Sequence, residues 1–242
     1  MASVKEHYDN LLASCYSWMC GGSDFVLKKN RTFFQVHGIR PAHSANAVDL
    51  GAGSGFQAIP LAEAGFNVTA VDVSRDLLRE LNIATGRLPI RTIQDDLLNF
   101  AEHSPAKVEI IVCMGDTLTH LKTLAEVEEL INNIHGALEN EGLLILGFRD
   151  MTAELIRLDR IIPVRSDSDR IFTCFLEYDK THVKVHDILY EKTDDHWEMK
   201  KSFYRKLRVS SQWTQKFLLK VGFKVEKYDI ENGMVTIIAR KR

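Results

Sequence analysis

The run Ala47-Val48-Asp49-Leu50-Gly51-Ala52-Gly53-Ser54-Gly55 is followed, 21 residues after its first glycine, by Asp72 at the end of Val68-Thr69-Ala70-Val71-Asp72. Few folds accommodate that combination. Residues 47–50 are apolar and β-rich, as a buried parallel strand is, and glycines at alternate positions let the backbone turn tightly beneath a ligand. Ser54 is placed to cap a helix that carries Ile59, Leu61, Ala62 and Ala64 toward a sheet and stops at Gly65. The chain returns as a strand over residues 67–72, and a carboxylate at its tip stands where it can accept both hydroxyls of a ribose. The segment reads as the start of a nucleoside-binding βαβ unit.

Spacing narrows the nucleoside. Dinucleotide sites use G-x-G-x-x-G, whereas the glycines here run G-x-G-x-G with Asp49 two residues ahead of them. An acid in the loop suits a ligand with a cationic amino-acid end better than a pyrophosphate, which favours unopposed N–H groups. Residues 49–55 resemble motif I of the class I S-adenosylmethionine-dependent methyltransferases. The resemblance implies an S-adenosylmethionine donor, S-adenosylhomocysteine as product, and a cradle formed by Asp49, Gly51, Ala52, Gly53, Gly55, Asp72 and Val73.

Three further stretches carry it. Residues 93–97 resemble the end of the family's third strand, where Asp96 would meet the adenine amino group and Leu97 its ring, with Asp95 as the alternate acid. Residues 113–121 resemble motif IV of glycine N-methyltransferases and their small-molecule relatives. There Met114 and Gly115 would touch the cofactor, His120 stands at the family's histidine, and Asp116 replaces its asparagine, changing the charge near the sulfonium. Gly147-Phe148-Arg149-Asp150 places Arg149 where that subfamily holds a substrate carboxylate, a planar anion suited to a guanidinium fork; an ion pair of Arg149 with Asp116 or Asp150 is the structural alternative. The resemblance covers residues 45–150 and, less closely, the C-terminal hairpin.

The remaining pattern fits an α/β chain. Helices are expected over residues 4–18 and 24–37, and strands over 88–94, 108–113 and 142–148, with an amphipathic helix over 124–138. Alternation of helix and strand implies a parallel sheet with crossover helices on both faces. Apolar and polar residues then alternate from 170 to 208, as in an antiparallel meander. A helix over 211–221 leads into strands at 223–228 and 234–239. The expected architecture is a Rossmann-like methyltransferase fold: a mostly parallel seven-stranded sheet ending in an antiparallel hairpin, with the meander as a cover over the ligand-binding edge. The expected divisions of one domain are a helical cap (1–40), a cofactor core (45–150), the cover (165–208) and the final helix and hairpin (209–242).

With 242 residues, 45% of them hydrophobic, the chain can bury one large core. A net charge of −2 with mixed signs gives no basic stripe for nucleic acid. Cys15, Cys20, Cys113 and Cys174 lack C-x-x-C spacing, so free thiols in a cytoplasmic protein are expected. No apolar run reaches 18 residues and residues 1–10 are polar, so neither membrane span nor signal peptide is expected. His182 and His186, four apart on a strand, lie roughly 13 Å from each other and cannot chelate one ion; no metal is expected. A monomer or a homodimer through the meander fits equally.

Methyl transfer by in-line displacement needs the nucleophile about 3–3.5 Å from the methyl carbon and water excluded. Tyr8, Tyr16 and Trp18 are placed to close over the cofactor, a ring face also favouring the sulfonium, or simply to pack a helix. Tyr178 and Tyr8 are candidate substrate contacts. His120, or Asp116 if burial raises its pKa, is the candidate base. The expected activity is methyl transfer to N or O of a small molecule, one carrying a carboxylate if Arg149 binds it. A cofactor-binding protein without turnover and, more remotely, a nicotinamide oxidoreductase are the alternatives.

Overall fold

The structure is a computed structural model that describes residues 4–105 and 107–242; residues 1–3 of the expected cap lie outside it. Its helices are α1 (Val4–His7), α2 (Tyr16–Met19), α3 (Ser23–Val36), α4 (Ala58–Glu63), α5 (Arg75–Ala84), α6 (Phe100–His103), α7 (Leu124–Ala137) and α8 (Ser211–Val221). The strands are β1 (Asn46–Leu50), β2 (Asn67–Asp72), β3 (Ile90–Gln94), β4 (Val108–Cys113), β5 (Leu138–Arg149), β6 (Ile161–Ser166), β7 (Arg170–Tyr178), β8 (His182–Lys192), β9 (Trp197–Leu207), β10 (Phe223–Glu231) and β11 (Met234–Lys241).

Seven strands form one sheet in the order β10-β11-β5-β4-β1-β2-β3. Neighbours from β5 to β3 are parallel, and β11 and β10 close the other edge antiparallel. Alternate residues of the buried strands feed the two faces. Val48, Leu50 and Ile111 pack with Val127, Ile131 and Ile134 of α7 and Leu218 of α8. Ala47, Val68 and Ile110 pack with Phe34 of α3, Ile59 and Leu61 of α4 and Leu81 of α5. Chain order reverses at β1, which lies between β2 and β4, so the crevice outside their carboxyl ends is the ligand position of such a sheet.

The antiparallel cover has four strands, β6-β7-β8-β9. Its inner face, with Phe172, Leu176, Val183, Val185, Leu189 and Tyr204, packs on Leu11, Leu12 and Cys15 of the N-terminal segment.

Several expectations change. The helix over 4–18 is four short pieces, α1, a π-turn (Tyr8–Leu12), a 3-10 turn (Ala13–Cys15) and α2. His7, Leu11, Leu12, Ala13 and Cys15 are all buried, and a straight helix of 3.6 residues per turn cannot aim them all at one sheet. Ser54 does not cap α4, whose N-cap is Gln57; the left-handed Gly53 and Gly55 prolong the bend, and Ser54 Oγ donates instead to Glu80 Oε2 at 2.7 Å. β5 begins four residues earlier than expected, at Leu138, directly from α7. The cover sheet starts at Ile161 rather than 165 because of β6, an edge strand whose Pro163 disguises it in sequence.

Candidate functional site

The carboxyl ends of β1 to β4, the N-terminal segment and the cover enclose a cavity of about 490 Å³. Its floor is the bend after β1. Gly51 and Ala52 N–H groups donate to the Val71 carbonyl, at 2.8 and 3.0 Å, locking the bend to β2. A Cβ on Gly51, whose φ is +73°, would stand 2.3 Å from the Thr117 side chain. At Gly55, φ +86°, it would stand 2.2 Å from Leu81 Cδ1. Glycine is therefore required at both ends of the bend.

Of the residues expected from sequence, Gly51, Gly53, Asp72, Val73, Asp96, Leu97, Gly115, Tyr8, Tyr16 and His120 line this cavity. Asp72 does so while accepting from Gly53 N at 2.8 Å and Ser74 N at 2.7 Å. Each oxygen thus spends one lone pair on fixing the loop and retains another for a hydroxyl. Asp95 and Asp96 both face the cavity. Asp96 caps the following turn by accepting from Leu98 N, and Asp95 is held by His103 and Asn99; the His103 hydrogen bond leads in bringing the Asp95 carboxyl down to about 2.

Asp49 lies beneath the bend, buried, with no hydrogen-bond partner for either carboxylate oxygen among the described residues. Burial, and after it the neighbouring Asp72 charge, push its carboxyl up to about 8. Ala52 and Gly55 help shape the bend from behind, and Met114 packs against Gly147.

The surroundings of Asp116 and His120, the expected catalytic pair, differ from those a base needs. Asp116 sits in a left-handed conformation, φ +75°, and its oxygens receive Arg149 N, Arg149 Nη1 and Lys206 Nζ at 2.6, 2.6 and 2.9 Å. Burial alone would raise its pKa, but the Lys206 and Arg149 charges outweigh it and hold the carboxyl well below the usual range. Asp116 is an ion-pair anchor, and its carboxyl is poorly suited to accept a proton. His120 faces the cavity, but burial, reinforced by Lys206, pushes its imidazolium down to about 3, so it is a neutral ring and a weak proton acceptor. Arg149 takes the ion-pair alternative with Asp116, while half of its side chain remains exposed.

Two aromatics also lie elsewhere. Trp18 donates to Asp167 Oδ2 at 2.5 Å and stacks under Arg165 and Arg170, and Tyr178 lies under the Arg208 guanidinium. Neither lines the cavity, because the broken N-terminal helix turns Trp18 to the cover edge and Tyr178 ends β7. Sequence reading missed Lys5, Leu77, Thr117, Leu121, His182 and Arg205, which do. Thr117 follows directly from motif IV, but nothing local marks the cover residues, which arrive by tertiary packing. Among the described residues no group of three His, Cys, Asp or Glu is arranged to hold a metal ion, and no helix is long and apolar enough to cross a membrane.

This geometry agrees with the comparisons to known proteins. Residues 47–142 match the family described as methyltransferase domain. Over this stretch, which is less than half of its length, the chain carries a methyltransferase domain. The chain is 32% identical over 111 residues to a glycine/sarcosine N-methyltransferase of Aphanothece halophytica, a match covering 45% of the chain and 42% of that protein. It therefore spans less than half the length of that curated relative. By fold it is similar to the CcbJ methyltransferase of Streptomyces caelestis, with TM-score 0.72, 14% identity and 88% coverage of each chain. It is likewise similar to CalS10, an amino pentose methyltransferase of Micromonospora echinaspora, with TM-score 0.69, 14% identity and coverage of 91% and 90%.

Proposed function

We propose that the protein transfers the methyl group of S-adenosylmethionine to a nitrogen of a small molecule. The observation that carries this reading is the cavity, floored by a bend that only glycine can form, walled by Asp72 and Asp96, and underlain by the unpartnered Asp49. Those residues fit the donor: Asp72 for the ribose, Asp96 and Leu97 for the adenine, and the acid beneath the bend for a cationic amino-acid end. The donor, when bound, supplies an activated methyl on a good leaving group, so the protein need not protonate what departs.

What the chain's own residues do is bind, orient and exclude water. Tyr8 and Tyr16 form part of one wall, and their phenols, pushed up by burial, stay protonated and neutral. Because Asp116 is ion-paired and His120 is neutral and weakly basic, the acceptor must arrive as its own free base. A nitrogen acceptor is favoured over oxygen for that reason, and the glycine/sarcosine N-methyltransferase to which the chain is similar has nitrogen as acceptor by name. Arg149 does not line the cavity, but half of its side chain is exposed, and its group with Lys206 and Asp116 carries a net positive charge that suits a carboxylate on that molecule.

The test has two stages. Calorimetry should register S-adenosylhomocysteine binding to the purified protein, and S-adenosylhomocysteine formation should appear with at least one member of a panel of amino acids, amino sugars and simple amines. Binding without turnover on any of them would favour the second reading, a cofactor-binding protein, and no heat from either donor or product would remove both.

A further inference from the structure

The cover sheet is apolar on both faces, and only the inner one is packed. Phe172, Cys174 and Leu176 of β7 alternate inward to the N-terminal segment, which turns Ile171 and Phe175 outward. The strand register sets Ile171 beside Tyr190 and Phe175 beside His186 on β8, and these beside Met199 and Phe203 on β9. Phe175, His186 and Phe203 form a continuous row, with ring centres 5.6 and 5.2 Å apart. Ile171, Trp197, Met199 and Ile161 of β6 are 41, 43, 47 and 49% exposed. An antiparallel sheet with one face in water alternates apolar inward with polar outward. This one breaks that rule on its outer face.

The edges of the sheet resist a further strand. β6 contains Pro163, which has no N–H to donate, and its register shifts between Pro163 and Arg165, while β9 carries Lys200 and Lys201. A partner therefore meets this sheet on its face. At about 3.4 Å per residue and 4.8 Å between strands, β6–β9 offer roughly 600 Å² of flat area. Side-chain relief brings that close to the about 800 Å² per partner of a stable interface. The charges at the two ends of the face select the occupant. Acids stand on the β7 side, Asp169 just before the strand and Glu177 near its end, and lysines on the β8 side, Lys184 and Lys192. Lys184 Nζ lies 2.9 Å from Glu177 Oε1, and Lys192 N donates to the Asp169 carbonyl at 2.8 Å, so acid and base are neighbours at both ends. A two-fold axis along the strands between β7 and β8 exchanges the two strands and turns each acid toward a lysine of the other copy. Such a surface is complementary to itself, as an isologous contact requires.

We infer that a second copy of this chain docks on the outer face of the cover, forming a two-fold dimer whose axis runs along the strands between β7 and β8. The two covers then stack as an aligned sandwich. Phe175 packs against the partner's His186 and Ile171 against the partner's Tyr190, while Glu177 meets the partner's Lys184 at one end and Asp169 the partner's Lys192 at the other. None of these residues lines the cavity, so the dimer stands or falls independently of the proposed function.

Sedimentation velocity on the full chain, from about 1 to 100 µM, tests it. The wild type should sediment with twice the 27.6 kDa mass of one chain. Ile171→Glu and Met199→Glu change exposed positions, so each should keep its wild-type circular dichroism. Each should also raise the dissociation constant by at least about 100-fold, because it places an unpaired charge inside the contact. Lys184→Glu should raise it by about tenfold, and Glu177→Lys added to the same chain, which restores opposite signs across the axis, should recover most of that. A wild-type chain that is monomeric at about 100 µM overturns the inference. So does a dimer that Ile171→Glu and Met199→Glu leave whole, which would put the interface on another surface, and so does one indifferent to Lys184→Glu, which would rule out the axis.

Discussion

A buried carboxylate without a partner is costly to ionise, and Asp49 is such a group. Its folded value near 8 stands above the ordinary carboxylate value, so between those limits the folded chain holds a proton the unfolded chain has released. The associated stability is complete below about pH 4 and is lost as pH rises through 8. Asp49→Asn removes that titration. Relative to wild type, the free variant should gain on the order of 3 kcal/mol between pH 5 and pH 8 in urea unfolding, while binding S-adenosylhomocysteine more weakly; parallel pH profiles would reject the assignment. Lys206 poses the opposite case. Removing it strands much of the Asp116 charge in the interior, so Lys206→Met should destabilise by about 3 kcal/mol at pH 7, with Asp116→Asn in the same chain recovering most of it. The ion pair with Lys206 was not legible from local sequence, because Lys206 lies 90 residues from Asp116. The Asp116–Arg149 pairing stood as the structural alternative, whereas the condition for Asp116 as base, a pKa raised by burial, is not met because the Lys206 and Arg149 charges outweigh burial. His120→Gln should leave the pH dependence of turnover set by the acceptor amine, since a ring with its pKa near 3 is not the titrating base; a shifted limb in the rate profile would restore the histidine to that role.

The bend between β1 and α4 is the element on which binding depends most directly. Gly55→Ala must both adopt a left-handed backbone and displace Leu81 from the core, whereas Gly51→Ala presses on Thr117 at the cavity floor. Both should lower stability by about 1–3 kcal/mol. Gly51→Ala should in addition weaken S-adenosylhomocysteine binding by more than about tenfold in calorimetry, because it distorts the surface the ligand rests on. This element was readable in sequence because its requirements are local: a β-rich run, glycines where φ turns positive, and an acid at the next strand's tip. α8 was equally readable, with Ser210 accepting from Trp213 N at its start and Gly222 in a left-handed conformation at its end. The N-terminal segment was not. Its aromatic spacing suggests one helix, but the cover sheet pulls in His7, Leu11 and Cys15 together, and tertiary packing outweighs the intrinsic periodicity. β6 escaped for a similar reason, since its strand character comes from pairing with β7 rather than from residues such as Pro163.

At the scale of the molecule, the cavity is walled from both sheets: Gly51, Asp72 and Leu97 come from the parallel core, and His182 and Arg205 from the cover. The cover is also tied to the core where Lys206 meets Asp116 and where His182 Nε2 donates to the Lys122 carbonyl at 3.0 Å. A ligand filling the cavity therefore touches both layers at once and stabilises only the state in which they are closed together. Binding to the folded state alone adds about 2.7 kcal/mol when the ligand is present at 100 times its dissociation constant. For a chain of this size that corresponds to a rise in melting temperature of roughly 5–10 °C. S-adenosylhomocysteine should produce that rise as one cooperative transition, seen alike by far-ultraviolet circular dichroism for the sheets and, in a Trp213→Phe variant, by fluorescence of Trp18 and Trp197 in the cap and cover. NAD at the same concentration should produce none, because the bend offers an acid under G-x-G-x-G rather than bare amides for a pyrophosphate. A shift with NAD and not with the nucleoside would reassign the cavity, and a shift in the circular dichroism signal without one in fluorescence would show that the cover melts independently of the site it covers.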